Sequence, residues 1–415
     1  MSLAEGVSAR VAYKGYASGV IDANSQPTSA SDPGPSGGQI LRRVSSTLKL
    51  AKDTYQAAEI ASHRQIADFR HGTKRVTGGI SGEFSPGTYW ELIEAVLRAN
   101  DAAAVSGSES DFTSATFDAS ASTVVFAGGD AHTVGFRIGD IIQFTDLAET
   151  ANNSTNFLVT SMSGSNRTLG LSPAPTTAIA DTAFSVTAVG RSAFMPDVSH
   201  VSRKFAFEHW FEDIDLARLF LECRMEGFNI QLPATGLATI DLTVMGRDME
   251  IYQDSNSPFF SAPAAATSTG IFAAVNGVLL VGGSQVGVVT GLNVQAALGA
   301  SSQAVVGQNY VPEVHLGRLN VTGQMTALLE DATFLNYFKD ETEVAILAYL
   351  TTTSAIDAPA ASIYLPRVKF GDADVPLSGE SGQIITLPFQ ALKYASAAAG
   401  IEATTVRFTD TQATA

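Results

Sequence analysis

The chain has 415 residues, with 25 Lys and Arg against 41 Asp and Glu for a formal charge of −16, and that length suits two or three modest domains. Apolar residues make up 45%, which excludes disorder throughout, and charged residues only 16%, so much of the polar surface must be uncharged. The acidic balance excludes a grip on nucleic acid built from clustered Lys and Arg, and an anionic membrane would repel the chain.

One cysteine, Cys223, leaves no intrachain disulfide to form. The opening MSLAEGVSARVAYKG has no apolar run behind a basic segment, and no stretch approaches eighteen uninterrupted apolar residues. Both features predict a soluble protein made and used without secretion. Residues 1–45 carry SQPTSASDPGPSGG, whose Ser, Pro and Gly bury little apolar surface and predict a mobile arm ordered only by a partner. Ser46 to Leu50 has a strand pattern. The polar stretch KDTYQAAEIASHRQIADFRHGTK then precedes a strand at Arg75 to Phe84. A loop of about twenty residues inside a compact domain is either functional or folded on a neighbour. In SPGTYWELIEAVLRAN, Ser85 suits a cap and Pro86 the first helical position. Tyr89, Leu92, Ile93, Val96 and Leu97 fall on one helical face, and the helix should end near Asn100, lying against a sheet.

From about 104 to 195 short runs such as STVVFAG, FRIGDIIQF, NFLVTSM and RTLGLS alternate with turns, which predicts an inserted small barrel or sandwich. Past it come a strand, a short helix around Asp213 to Leu221, and two strands joined at Pro233-Ala234-Thr235-Gly236, the last with Ala238, Ile240, Leu242 and Val244 on its buried face. Residues 257–269 are expected to be a linker. A second domain, 270–405, begins with strands turned at Asn276-Gly277 and Gly282-Gly283, and 406–415 are expected to be a tail. The first domain is thus discontinuous, 46–103 with 196–256, around the module 104–195.

Sliding the sequence by 245 positions sets Gly72 on Gly317, Val76-Thr77-Gly78 on Val321-Thr322-Gly323 and Thr88 on Thr333. Apolar positions match too, Ile80 with Met325 and Phe84 with Leu329. This echo predicts an internal duplication; chance similarity between two β-rich domains is the other reading.

No G-x-x-x-x-G-K-[ST] loop, G-x-G-x-x-G helix opening, G-x-S-x-G elbow or H-E-x-x-H occurs, and the six histidines lie scattered. The densest acidic cluster is Glu208, His209, Glu212, Asp213 and Asp215, a candidate for a hard cation or an acid and base pair. Solvated carboxylates in the first turn of a short helix explain it as well. Arg70, His71, Lys74 and Arg75 suit a loop surface better than a phosphate site, and Cys223 beside Leu219, Phe220 and Leu221 suits a core. The expectation is no enzyme, no metal and no cofactor.

The segments RQIADFRHGTKRVTGGISGEFSPGTYWELIEAVLRA (64–99) and FEHWFEDIDLARLFLECRMEGFNIQLPATGLATIDLTVMGRDM (207–249), with the stretch from Gly270 to Leu392, resemble in their order the major tail tube proteins of long-tailed, siphovirus-like bacteriophages. That resemblance implies a mainly β fold: two β-sandwich or barrel domains, each with a flanking α-helix, plus the inserted β-barrel module. It implies assembly with copies of itself into stacked rings around a channel through which viral DNA passes without stable binding. Other tail proteins would sit at the tube ends, no membrane would be involved, and the location would be the virion tail after synthesis in the host cytoplasm. A duplicated chain would close a ring as a trimer with pseudo-sixfold symmetry, an unduplicated one as a hexamer. Contacts between rings would come from the N-terminal arm and two long loops, through Lys52, Tyr55, Arg64, Asp68 and Arg70 in the first and Gln295, Gln308, Tyr310, Glu313 and His315 in the second. A multi-β-domain adhesin or virion-surface binding module is the alternative function.

Overall fold

Period-two alternation of apolar and polar residues governs most of the chain, and the computed structural model, which describes residues 3–16, 33–60, 65–66, 68–99, 104–376, 382–395 and 400–413, consists chiefly of antiparallel strands. Strand β1 (Ala9–Gly15) buries Val11, Ala12 and Tyr13, and β2 (Gln39–Ile40) pairs with it. Strands β3 (Ser45–Ser46) and β4 (Lys49–Gln56) run along one edge of the long β5 (Phe69–Glu83). Helix α1 (Trp90–Leu97) buries Leu92, Ile93, Val96 and Leu97, with Tyr89 just ahead of it. It starts later than Ser85 and Pro86 suggest. Gly87 sits at φ +72, which a helix cannot continue, and Ser85 Oγ is engaged 2.7 Å from Thr88 Oγ1. The helix stops at Leu97 because Arg98 turns left-handed, at φ 50.

Eight strands, β6 to β13, lie between Ser106 and Ala188 with one short helix, α2 (Ala131–Val134). They form a sheet of their own around Phe112, Phe117, Phe126, Phe144, Phe157 and Phe184. Its edges are β6 and β12, and no ladder joins them among the described residues. The chain then returns to the large sheet through β14 (Arg191–Phe194), β15 (Phe205–Phe211), β16 (Leu216–Pro233), β17 (Thr239–Gly246) and β18 (Asp248–Gln253).

The helix expected around Asp213 to Leu221 is instead a 3₁₀ turn at Glu212–Ile214, a left-handed Asp215 and the start of β16. The first half of β16 lies between β15 and β18 and is covered on both faces, so Leu219, Phe220 and Cys223 are all buried. Apolar residues at those spacings mimic a helical stripe.

The second half of the chain supplies β19 (Val278–Val281), β20 (Ser284–Gln285), β21 (Val289–Ala297), β22 (Ser301–Ser302), β23 (Val314–His315), β24 (Asn320–Leu328), α3 (Thr333–Lys339), β25 (Val344–Thr351), β26 (Ala360–Phe370), β27 (Ile384–Ala391) and β28 (Arg407–Asp410). Its pairing order, β21-β24-β27-β26-β25-β19, repeats the order β4-β5-β17-β16-β15-β1 of the first half. Registers repeat as well. Glu83 faces Thr239 and Val76 faces Gly246; Leu328, 245 positions after Glu83, faces Ile384, and Val321 faces Ala391. One irregularity recurs at Phe205/Phe207 against β16 and at Val344/Ile346 against β26. The halves join where Gly227–Pro233 of β16 ladders onto β21, with Phe228, Ile230, Leu292, Val294 and Ala296 buried beneath.

Three segments expected to be loose are built into this framework. Residues 9–15 of the expected arm pair with all of β15, because Val11 and Tyr13 have an apolar face to cover. The expected linker 257–269 buries Phe260 and bridges Ser261 to Ser36 and Ala264 to Gln39. In the expected tail, β28 pairs with β14 and β26 and buries Val406 and Phe408. Residues 25–32 of the Ser/Pro/Gly tract, and Asn100, lie outside the described residues.

Candidate functional site

Of the two long polar stretches expected as contact loops, the first is largely hairpin and the second is closed by a single two-residue ladder. β4 and β5 ladder from Lys49 to Gln56 against Thr77 to Phe69, with Ala57 N–H donating to Asp68 O at 3.0 Å just past the ladder. In the second stretch β22 and β23 pair through Ser301 and His315. The structure brings the two together: Lys74 N–H donates to Asn309 O at 2.8 Å and Lys74 bridges Tyr310. Among the expected contact residues, Lys52, Gln295, Gln308 and His315 are exposed. Tyr55 is 58% exposed, and its ring lies against Gly72, where a Cβ would clash. Asp68 and Arg70 pair with each other at 2.7 Å in solvent. Arg64 lies outside the described residues. Ile60, Ile66, Phe69 and Val306 are also exposed at this end of the molecule, and Ile60 and Val306 are fully so.

Tyr310 and Glu313 point inward instead. Glu313 accepts from Arg224 and lies 3.7 Å from Lys204; Arg247 stands 4.3 Å over the Tyr310 ring. Glu222 accepts from Lys204 at 2.8 Å and from Arg247 at 2.7 Å. These cations and carboxylates are mostly buried, so they satisfy one another and fasten the second loop to the first half. Sequence reasoning missed this network. Its only trace is charged residues at strand positions where apolar ones would be expected.

The acidic cluster around Glu208 is not one site. Glu208 and His209 are neighbours on β15 and face opposite ways. Glu208 is fully buried, and the Phe259 and Phe260 N–H groups donate to it at 2.5 and 3.3 Å; burial still raises its carboxyl above the ordinary range. His209 Nδ1 lies 3.1 Å from Arg218, which can only donate, so Nε2 carries the proton given to Ser46 Oγ at 2.9 Å. Burial, with Arg218 and Arg43 adding to it, pushes this histidine down to about 3. Burial pushes the Cys223 thiol well up, out of the reactive range. A cleft of about 680 Å³ beside α1 holds Glu91 and Glu94, the latter bonded to Arg203 at 2.7 Å, and no histidine or cysteine lines it. No cluster of three His, Cys, Asp or Glu fit to hold a metal ion occurs among the described residues, and no helix among them is long and apolar enough to cross a membrane.

A broad polar surface is formed by the outer face of the continuous sheet. From Gly227 to Gln231 of β16, and across the strands laddered to it as far as β5 and β27, that face carries Ser81, Asn229, Asp241, Asn293, Gln324 and Thr386 among other small polar residues. Asn293 donates to Asn229 at 2.7 Å and Ser81 to Asp241 at 2.5 Å. Within this strip its charged side chains are Glu83 and Asp241; farther along the same face β5 carries Arg75, bonded to Asp53 at 3.0 Å, and the edge strand β4 carries exposed Lys49. At the two ends of this sheet the outer sides of β4 and of residues 371–376 have no strand beside them among the described residues.

A family model described as phage tail tube protein matches residues 7–391. No curated protein matches the chain.

Proposed function

The chain belongs to the phage tail tube protein family, a structural family of the virion tail, and from that premise we propose that copies of it assemble into stacked rings whose continuous sheets line a channel for the genome. The observation that carries this reading is the small-residue polar face, acidic at Glu83 and Asp241, on which the bases Arg75 and Lys49 stand singly towards β4 and form no cluster. Such a wall offers phosphates hydrogen bonding but no clustered cationic grip, so DNA passes without the array of counterion-releasing contacts that would hold it. Repeated pairing order and register support an internal duplication, in which 46–103 with 196–256 and 270–405, the latter extended by β28, are the two tube units. Three chains then supply six units to a ring. The module at 104–195, whose core continues into Leu280, Leu347, Tyr349, Ala360 and Tyr364 of the second half, is seated on that half as a decoration. Apolar side chains at the hairpin ends, Ile60 and Val306 above all, are costly in a monomer and suit burial between rings.

Negative-stain microscopy of the purified protein tests the proposal. Rings or tubes are expected, with an isolated ring weighing three times the 43.4 kDa chain. A ring of six chains would refute the duplicated-unit reading, and monomers under all conditions would refute assembly.

A further inference from the structure

The repeated registers locate the joint between copies to the residue. Inside the chain, the second half of β16 receives β21, with Asn229 opposite Gln295, Ile230 opposite Val294 and Phe228 opposite Ala296. Arg224 faces Met245, and 145 positions on Lys369 faces Gln390; Asn229 faces Asp241, and 145 positions on Asp374 faces Thr386. Residues 372–376 therefore hold the place in the second half that 227–231 hold in the first. β4 likewise holds the place of β21, since Lys49 faces Thr77 as Gln295 faces Thr322. Both edges are open among the described residues. We propose that a second copy of this chain docks edge to edge here, its residues 47–51 lying antiparallel to 372–376, with Lys49 opposite Asp374.

The local chemistry fits that register. Asp374 and Thr386 exchange both backbone hydrogen bonds, at 3.2 and 3.0 Å, so the N–H and C=O groups of Ala373 and Val375 turn towards the open edge. Thr47 N–H donates to Gly79 O at 2.9 Å, so the same alternation turns those of Leu48 and Leu50 outward. Pro376 lacks an N–H on the side facing β27, which restricts that ladder to one bridge and takes nothing from the open side. On the core face Val375 meets Leu48 and Ala373 meets Leu50, apolar pairs that repeat Ile230 with Val294 and Phe228 with Ala296. On the polar face exposed Asp374 meets exposed Lys49, with exposed Asp372 two residues along the same strand. A head-to-tail contact of this kind pairs every edge, with none left over, only where the copies close a ring.

This inference rests on the assembly reading, and its test separates the two. The full chain carrying both Lys49→Cys and Asp374→Cys is oxidised mildly after assembly; a directly opposed pair outside the hydrogen-bonded sites is close enough for a disulfide, and buried Cys223 stays silent. A covalent ladder ending at the ring's copy number is expected. Thr47→Cys with Asp374→Cys, displaced by two residues, should cross-link on the order of tenfold less. Rings that prefer the displaced pair, or link neither, overturn the register and leave assembly standing; absence of any multimer overturns both. As a second measure, Lys49→Glu or Asp374→Lys alone should raise the concentration needed for rings by about tenfold, and Lys49→Glu with Asp374→Lys should return it to within about threefold of the native value. Reversals that are merely additive overturn the pairing.

Discussion

His209 and Asp410 should pull stability in opposite directions between pH 7 and pH 5. Burial holds His209 down to about 3 against an ordinary 6.5, so the unfolded chain takes up a proton through this window and the native chain does not. Stability must then fall as pH falls, by about 2 kcal/mol between pH 7 and 5 from this group alone. Asp410, almost fully buried, is raised to about 6 from 3.8 by burial, although the Gly87 and Gln412 N–H groups donate to it at 2.7 and 2.9 Å. Here the native state takes up the proton first, which adds about 1.3 kcal/mol over the same window. His209→Gln keeps an acceptor for Arg218 and a donor for Ser46, and Asp410→Asn keeps an acceptor for one amide. Urea denaturation of both variants and the native chain at pH 7 and pH 5 isolates each group as a change in the variant's offset. The His209→Gln offset should move about 2 kcal/mol in the variant's favour on acidification, and that of Asp410→Asn about 1.3 kcal/mol against it. Parallel profiles for variant and native protein would refute the burial argument for that residue.

Arg407→Met leaves Asp140, 1% exposed, without the guanidinium that donates to it at 2.6 Å; unfolding should become easier by about 3 kcal/mol, read by urea titration at pH 7. Phe228→Ala opens a cavity at the joint between the two halves and should cost about 3–5 kcal/mol in the same assay. Replacing exposed Ile60 and Val306 together by Ser should leave monomer stability within about 0.5 kcal/mol while shortening tubes seen by microscopy, since neither side chain has a partner surface in the monomer. Assembled tubes should retain no duplex DNA in co-sedimentation even at low salt, whereas Asn229→Lys, which adds a base to the polar face, should introduce salt-sensitive retention.

What the sequence made legible were features that one stretch of chain decides. Tyr89 to Leu97 show a helical face because local spacing alone places them, and Ala238 to Val244 alternate because one sheet face is buried throughout. The helix start was misread because a left-handed Gly87 outweighs the capping preference of Ser85 and Pro86. Strands β1 and β28 were read as arm and tail because each is too short to show a period, and each is fixed by partners about two hundred residues away, such as Phe207 facing Tyr13 and Phe194 facing Arg407. Of the contact residues named from sequence, Tyr310 and Glu313 turn inward for a similar reason: Arg247, between β17 and β18, and Arg224 on β16, which claim them, come from the other half. A polar loop in the sequence does not say whether its charges meet water or a distant strand.

The two halves share few identities, yet Glu83 and Leu328 hold equivalent register positions. Side-chain period explains how that is possible. A slip of one residue would turn Ile240, Leu242 and Val244, or Ile385, Leu387 and Phe389, from the core to the polar face, so register is held by which positions are apolar and not by which apolar residue fills them. Exchange of one apolar residue for another on the core face, or of one polar residue for another on the outer face, then leaves register unchanged, and only positions where two edges meet need specific partners. At the joint inside the chain the polar-face partners are the amides Asn229 and Gln295, with covalent linkage already fixing the neighbour. At the open edges nothing covalent selects the neighbour, and there the corresponding positions hold an acid and a base, Asp374 and Lys49, whose opposite charges can both attract the correct edge and repel like edges.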